Sequence, residues 1–323
     1  MPRGSRLKEP LDRLYQEFDY AGRIQSDAMK FPLRYPERED REVVALLSAC
    51  LAYGRVDLFS REVEKVLRVM GPHPARFILD FDPAHDRDRF KDFRYRFNRP
   101  RDIDAFCLAV RNILKEHGSL RAYFLRGYSE NDTDVLPALE RFVQGILDQD
   151  LSQVFKRGGL SRGFRHLFPK PSTGGPCKRL HLFLRWMVRQ DRLDFGLWPE
   201  VLPSELIIPL DTHIANMSRA IGLTRLKSHT GRMAKAITEA LRRLDPDDPV
   251  KYDFALCHKR MSGNCPGKRD VVRCQPCGLR SICRHWRGGP LSRRGHPGFA
   301  TPAPIATSSS ADVKGPPSTG ISS

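Results

Sequence analysis

Apolar residues recur at intervals of three and four along most of the chain, and this spacing limits the fold more than any other feature. It places Leu7, Leu11, Leu14 and Phe18 on one helical face. The same spacing returns in four later segments, residues 43–51, 58–70, 102–115 and 135–147. No segment shows sustained alternation of period two. We therefore predict an all-α protein of roughly ten to twelve helices joined by short loops.

The positive charge of the chain indicates what such a helical body binds. The formal net charge is +17 over 323 residues, and the basic residues are spread along the sequence. A surface of this kind suits a polyphosphate, so nucleic acid is the predicted partner, with a charged surface that has no specific partner as the alternative. No apolar run approaches the ~18 residues that span a membrane, and the N-terminal residues do not look like a secretory signal. We expect a cytoplasmic protein that does not contact membranes.

Composition divides the chain into a body and a tail. From Gly288 onward the sequence is dominated by Gly, Pro, Ser, Thr and Ala, which cannot bury enough apolar surface to offset the entropy of ordering. We predict a folded body over residues 1–287 and a disordered tail over residues 288–323.

Cysteines concentrate near the end of the predicted body. Cys265, Cys274, Cys277 and Cys283 have the spacing C-x8-C-x2-C-x5-C, which allows four thiolates to converge in a short loop. Four sulfur ligands suit zinc or an iron–sulfur cluster, and the spacing does not choose between them. Cys257 is expected in a helix that begins after Asp248, either as a core thiol or as a substitute for Cys265.

The segment Gly174-Gly175-Pro176 predicts a tight turn before a helix that carries Lys178 and Arg179 in its first turn. The free N–H groups and the dipole of such a helix favour an anion such as phosphate. The same positive field favours the neutral amine of Lys178 and hence a nucleophile. The alternative is an ordinary surface lysine that binds phosphate or solvent.

Asp211 follows an apolar run and precedes a helix, which is the pattern of an N-cap. Its carboxylate then either only satisfies N–H groups of the first turn or also stabilises a positive charge that develops on a sugar ring. Residues 90–102 interleave aromatic and basic side chains, a pattern that suits either nucleic-acid stacking or a core helix with solvated arginines.

These segments, in this order, resemble the helix-hairpin-helix DNA glycosylase superfamily, in particular its endonuclease III-like iron–sulfur branch. The similarity rests on Glu42–Tyr53, on Gly174–Lys178 in the place of the hairpin, on Leu210–Ile214 in the place of the aspartate motif, and on the last three cluster cysteines. Residues 10–286 also look like an uncharacterised bacterial family that is related to this superfamily.

The resemblance implies a glycosylase-like helical fold with a hairpin near 172–188, an aspartate motif at 210–214 and a C-terminal cluster loop at 257–286. It implies a 4Fe–4S cluster on the four cysteines, with zinc as the alternative. Pro176 replaces the second hairpin glycine, the first cysteine interval is two residues longer, and the gap from Lys178 to Asp211 is wider. That gap holds Trp198, which could stack on a base.

By resemblance, the chain is a DNA glycosylase of base-excision repair with possible abasic-site lyase activity. No protein partner is predicted, so we expect a monomer. Lys178 would attack the sugar and Asp211 would assist it. The expected DNA contacts are Gly174, Gly175, Arg179 and Arg55. Arg55 would fill the gap left by a flipped base. The alternative is a non-catalytic nucleic-acid-binding protein on the same scaffold. The altered hairpin, with Pro176 in place of the second glycine, favours this alternative.

Overall fold

The computed structural model describes residues 5–155 and 159–288 of the chain. The predicted tail falls, apart from Gly288, outside the described residues. Among those that are described there is no β-strand, only the isolated bridges Tyr95–Asn98 and Gln190–Phe195. The prediction of an all-α protein is confirmed for this part of the chain. In the same part, no helix is long and apolar enough to cross a membrane.

The described residues form sixteen α-helical segments joined by turns and short 3-10 helices. Their bounds are α1 Ser5–Glu17, α2 Ala21–Ile24, α3 Arg38–Leu51, α4 Val56–Met70, α5 Pro74–Asp80, α6 Pro83–Asp86, α7 Pro100–His117, α8 Leu120–Leu125, α9 Leu136–Leu147, α10 Arg162–Leu167, α11 Lys178–Val188, α12 Thr212–Ile221, α13 Gly231–Arg242, α14 Asp253–Met261, α15 Val271–Cys274 and α16 Arg284–Gly288.

The five segments with helical spacing correspond to α1, α3, α4, α7 and α9. The count exceeds the expected ten to twelve because several helices, such as α2 and α6, have only four residues. A helix of one turn is too short to show a periodic apolar face, so spacing does not reveal it.

Two helices form the centre of the fold. Helix α11 is buried at every position from Arg179 to Val188, so it is enclosed by the rest of the body on all sides. It packs against α3, which is buried from Glu42 to Leu51. Helices α12 and α14 pack against each other. This arrangement brings the N-terminal ends of α11 and α12 to the same region as α14.

The helix that carries Cys257 begins later than the sequence predicts. Helix α14 starts at Asp253, whereas the expected N-cap was Asp248. Arg189 binds the Asp248 carboxylate through Nε at 2.9 Å and Nη2 at 2.8 Å. The carboxylate is therefore engaged in a tertiary ion pair, and residues 249–252 form a turn instead of a helix.

Candidate active site

A cavity of about 510 Å³ lies where the loop after α3 meets the N-terminal ends of α11 and α12. Gly175, Pro176, Lys178 and Asp211 line it on one side, and α14 contributes Cys257. Residues 175–178 and Asp211, which are far apart in the chain, therefore share one cavity.

Lys178 enters this cavity because of the backbone that precedes it. Cys177 lies in the left-handed region with φ 42°, and α11 begins directly after it. The Lys178 Nζ is 3.4 Å from Oδ2 of Asp211, and the two side chains are 30% and 19% exposed. An ammonium and a carboxylate thus face each other in a half-enclosed space that a small group can still enter.

Asp211 is the N-cap of α12, as predicted, and its Oδ1 accepts a hydrogen bond from the Ile214 N–H at 2.9 Å. Its other oxygen, Oδ2, faces Lys178 and accepts a hydrogen bond from the Cys257 thiol, with Sγ at 3.7 Å. One carboxylate oxygen therefore caps helix α12, and the other faces the cavity. The structural and the chemical interpretations of Asp211 are therefore compatible.

The charges in the cavity favour the ionised pair. Burial is the largest single influence and opposes the ammonium of Lys178, but Asp211 together with the more distant Asp27 and Asp253 raises the pKa of Lys178 overall. Burial also opposes the Asp211 carboxylate, yet Lys178 and the Ile214 N–H lower its pKa. This result differs from the expectation that a positive field would favour the neutral amine. The expectation considered the helix end alone, whereas the nearest charge to Lys178 is negative.

A carboxylate–imidazole hydrogen bond that no sequence motif indicates lies at the cavity wall. Asp27 lines the cavity, and its Oδ2 lies 3.0 Å from Nε2 of His258. His258 is 1% exposed, and its Nδ1 has no hydrogen-bond partner among the described residues. The two residues are separated by more than two hundred positions, and no local motif marks Asp27. Cys257, expected in the core or as a metal ligand, faces the same cavity instead.

The predicted hairpin is a turn between α10 and α11. Gly174 has φ 77°, a left-handed conformation that favours glycine, and it ends the 3-10 helix at Pro171–Thr173. Its carbonyl accepts a hydrogen bond from the Gly231 N–H at 2.9 Å. Gly174 is exposed and Gly175 lines the cavity. Both glycines are thus placed where a backbone phosphate could approach.

The two arginines predicted to contact DNA differ in their surroundings. Arg179 is buried, and its guanidinium donates hydrogen bonds to the carbonyls of Cys50, at 2.5 Å, and His166. A phosphate would have to break both bonds, so this position differs from the expected DNA contact. Arg55 is 76% exposed at the start of α4 and pairs with Asp57 at 2.8 Å. Its neighbours Gly54 and Val56 line the cavity.

Trp198 does not stack over the cavity as the sequence suggested. It is fully buried, and its Nε1 donates a hydrogen bond to Oε1 of Glu42 at 2.9 Å. The long gap between Lys178 and Asp211 therefore folds into the core rather than over the site. The indole N–H of Trp198 shares the buried Glu42 carboxylate with the Arg121 N–H, which donates to Oε2 at 3.3 Å.

The cluster loop follows α14 and contains α15 and α16. Cys265, Cys274, Cys277 and Cys283 are all partly exposed, and the pKa of Cys283 is raised by burial and by the nearby Cys265 and Cys274 thiols. Across residues 5–155 and 159–288, however, no group of three or more Cys, His, Asp or Glu is arranged to hold a metal ion. The metal centre therefore stays a prediction from the cysteine spacing.

Comparison with known proteins places these residues in one family. No curated protein and no solved structure matches the chain. A family model described as "Protein of unknown function (DUF2400)" matches residues 27–262. The matched segment contains Lys178, Asp211 and Cys257, whereas the four predicted cluster cysteines follow its end. Because the match covers well over half of the sequence, the chain belongs to the DUF2400 family.

Proposed function

We propose that the protein is a DNA glycosylase with abasic-site lyase activity, with Lys178 as the nucleophile and Asp211 as its proton acceptor. The observation that carries the proposal is the 3.4 Å approach of Lys178 Nζ to Asp211 Oδ2 inside the cavity. A nucleophile and a base within reach of each other, in a space of about 510 Å³, match the requirements for attack on an extruded nucleotide.

The reaction can be written with these two groups. Asp211 accepts a proton from the Lys178 ammonium, and the freed Nζ lone pair forms a bond to C1′ of the deoxyribose. The N-glycosidic bond breaks, its electron pair leaves on the base, and the base takes up the proton from Asp211. The attached Nζ then gives up one proton, the C1′–O4′ bond breaks, and O4′ takes up that proton, which leaves a protonated Schiff base between Lys178 and C1′. Half-burial of both side chains limits the access of competing water.

A non-catalytic nucleic-acid-binding protein is the second candidate, and the protonation of Lys178 favours it. Asp211 and the other nearby carboxylates together hold the pKa of Lys178 above its ordinary value despite burial, so the free protein presents an ammonium rather than an amine at neutral pH. An ammonium at the N-terminal end of a helix binds a phosphate well but cannot attack carbon.

Borohydride trapping separates the two candidates. We would incubate the full chain with duplexes that carry abasic, oxidised, deaminated or mismatched sites, add borohydride, and look for covalent protein–DNA complexes on a denaturing gel. The glycosylase–lyase proposal predicts a trapped complex that disappears in Lys178→Ala. Lys235→Ala is the matched control, because Lys235 also pairs with a carboxylate, Asp134 at 2.9 Å, but does not line the cavity.

The remaining outcomes are also informative. Base release without trapping would indicate a glycosylase that uses water instead of Lys178. Retained DNA binding with neither trapping nor base release on any of these duplexes would support the non-catalytic protein. Cleavage that is unchanged in both Lys178→Ala and Asp211→Asn would show that the catalytic assignment is wrong.

A further inference from the structure

A tight turn at Tyr95–Asn98 presents an arginine and a phenylalanine to solvent beside the cavity. Tyr95 and Asn98 exchange backbone hydrogen bonds at 3.3 and 2.8 Å, and both side chains are buried. Arg96 and Phe97 occupy the tip between them and are exposed, Phe97 by 37%. An exposed phenylalanine held between two buried anchors is fixed in place without being part of the core.

The turn is anchored to α10 and to the loop after α3. The Asn98 Nδ2 donates a hydrogen bond to the Gly163 carbonyl at 2.8 Å, and the Tyr53 hydroxyl donates one to the Asn98 Oδ1 at 2.5 Å. A Cβ on Gly163 would lie 2.9 Å from the Phe97 carbonyl oxygen and closer still to the Asp102 carboxylate. The glycine therefore permits the close approach of the turn to α10.

Arg96 adopts a conformation that arginine normally avoids. Its φ is 50°, in the left-handed region, where the Cβ of an L-residue lies too close to the following carbonyl oxygen. Strained backbone of this kind persists where the surroundings fix it, and it is concentrated at functional sites. The strain is a second observation, independent of the exposed phenylalanine, that points to a use for the turn.

Phe97 continues an aromatic surface that begins inside the cavity. Tyr53 and His166 line the cavity. The rings of Tyr53 and Phe97 are nearly parallel, at 10° with centroids 5.7 Å apart. His166 meets both edge-on, with centroids 4.7 Å from Tyr53 and 4.4 Å from Phe97. We call Tyr53, Phe97 and His166 the aromatic platform.

Positive charge surrounds the platform. The Arg162 guanidinium lies 5.8 Å from the Phe97 ring centroid, and that of Arg96 lies 6.0 Å from the Tyr53 centroid. Burial, reinforced by Arg179, Arg162 and Arg96, lowers the pKa of His166 to about 4. The imidazole is therefore uncharged at neutral pH. The three rings form an uncharged aromatic cluster with arginines at its edge, in which the rings of Tyr53 and Phe97 are nearly parallel.

We propose that the aromatic platform binds unpaired nucleobases by stacking, and that Arg96 and Arg162 contact the phosphates of the same single strand. Aromatic faces combined with a basic edge are the means by which proteins hold single-stranded nucleic acid, because every base has a π-face. The platform leads from the protein surface into the cavity that holds Lys178, so a strand stacked on Phe97 has a neighbouring nucleotide within reach of that cavity.

This inference deepens the proposed function and rests on it, since both assign a nucleic acid to the same cavity. The two can nevertheless fail separately. Stacking requires no covalent chemistry, so single-strand binding by the parent, and its loss in Phe97→Ala, should not depend on whether borohydride traps a complex. A parent that binds the single strand but forms no trapped complex would contradict the proposed chemistry and leave the proposed binding by the aromatic platform unaffected.

The test measures binding of the full chain to a fluorescein-labelled oligothymidylate by anisotropy. Phe97→Ala should weaken binding about tenfold, because stacking of a base on an aromatic ring contributes roughly that much, and Phe97→Trp should restore it. Leu79→Ala is the matched control, since Leu79 has the same 37% exposure but lies in α5, outside the aromatic platform. Leu79→Ala should bind like the parent.

A second measurement reads stacking directly. An oligonucleotide with one 2-aminopurine should lose fluorescence on binding the parent and Phe97→Trp, and should lose much less with Phe97→Ala. Equal affinity of Phe97→Ala and the parent would overturn the proposal. So would an equal loss in Leu79→Ala, quenching that is unchanged in Phe97→Ala, or a parent that does not bind the oligothymidylate.

Discussion

At the scale of single residues, the Lys178–Asp211 pair controls which protonation state the cavity presents. The pair is only partly exposed, so water screens it less than a surface ion pair. Asp211 therefore has two opposing effects on the proposed chemistry. It can accept the proton of Lys178, but its negative charge also makes that proton harder to remove.

The second effect predicts the pH dependence of Asp211→Asn. Removal of the carboxylate leaves burial as the main influence, and burial lowers the pKa of Lys178. A larger fraction of neutral amine then exists at any given pH. We expect the rate of borohydride trapping on abasic DNA to reach half of its maximum at a lower pH than in the parent, even where the maximum itself falls.

Asp134→Asn is the control for this pH profile, because Asp134 pairs with Lys235 outside the cavity. Its profile should coincide with that of the parent. A midpoint that stays in place or rises in Asp211→Asn would show that Asp211 does not set the pKa of Lys178.

The left-handed backbone of Arg96 predicts a gain in stability on substitution. Glycine adopts φ 50° without the steric cost that every side chain incurs. We expect Arg96→Gly to be about 1 kcal/mol more stable towards urea than Arg96→Ala, which loses the same guanidinium but keeps a Cβ. Equal stabilities of the two variants would contradict a strained turn. Both variants should bind the oligothymidylate less tightly than the parent.

The sequence identified those site residues that lie within a local motif. Asp211 stands before a helix and Lys178 follows a glycine turn, so both could be found from their neighbours in the chain. Asp27 and His166 join the cavity only through tertiary packing, and nothing beside them in the sequence marks them. For Trp198 the prediction from the local sequence was wrong. An indole in a polar segment is expected to be exposed, and its hydrogen bond to Glu42, which is remote in the chain, shows that it is buried.

At the scale of secondary-structure elements, α11 is held in the interior by buried ion pairs. Arg185 forms ion pairs with Asp253 and with Asp194, the latter at 3.2 Å. Arg189, directly after α11, pairs with Asp194 as well. These arginine side chains are at most 4% exposed. The network joins the end of α11 to the start of α14, the helix that carries Cys257, and so fixes two walls of the cavity relative to each other.

Arg185→Ala should therefore be strongly destabilising. It leaves the carboxylates of Asp194 and Asp253 buried without one of their partners, and the loss of one member of a buried pair costs about 3–5 kcal/mol. Urea unfolding measures the difference. Arg76→Ala is the control, because its pair with Asp80 is 3.8 Å long and exposed. A loss below about 1 kcal/mol for Arg185→Ala would mean that the network adds little.

The same elements show why the helices were predictable and their boundaries less so. Apolar spacing records which face of a helix is buried, and α4, α7 and α9 were each visible in it. The start of a helix depends on whether the carboxylate before it caps the first turn or is bound by a side chain elsewhere in the fold. Asp211 caps its own helix, whereas Asp248 is bound by Arg189, and sequence alone does not distinguish the two situations.

The cysteine spacing of the cluster loop predicts that the protein contains a metal. The purified protein should contain iron and acid-labile sulfide, or, on the alternative, zinc. Cys277→Ser should lower the metal content, whereas Cys107→Ser, at a buried thiol in α7, should not. Metal analysis of the parent that finds neither iron nor zinc would show that the prediction from spacing is wrong.

At the scale of the whole molecule, the net charge of +17 attracts any polyanion, so binding by itself does not locate a site. A general field and a local contact differ in how they respond to salt. Each phosphate that a side chain neutralises releases counterions, and for a single strand it adds about 0.7 to the slope of log K against log salt concentration. A distant arginine contributes to the field but releases no counterion from a contacted phosphate.

Arg162→Ala should therefore reduce the salt slope for the oligothymidylate by about 0.7, because Arg162 lies beside Phe97 at the edge of the aromatic platform. Arg76→Ala removes the same charge from α5, which does not line the cavity, and should leave the slope unchanged. The measurement is a series of anisotropy titrations over a range of salt concentrations. Equal slopes for both variants and the parent would mean that the overall charge, and not the platform, holds the strand.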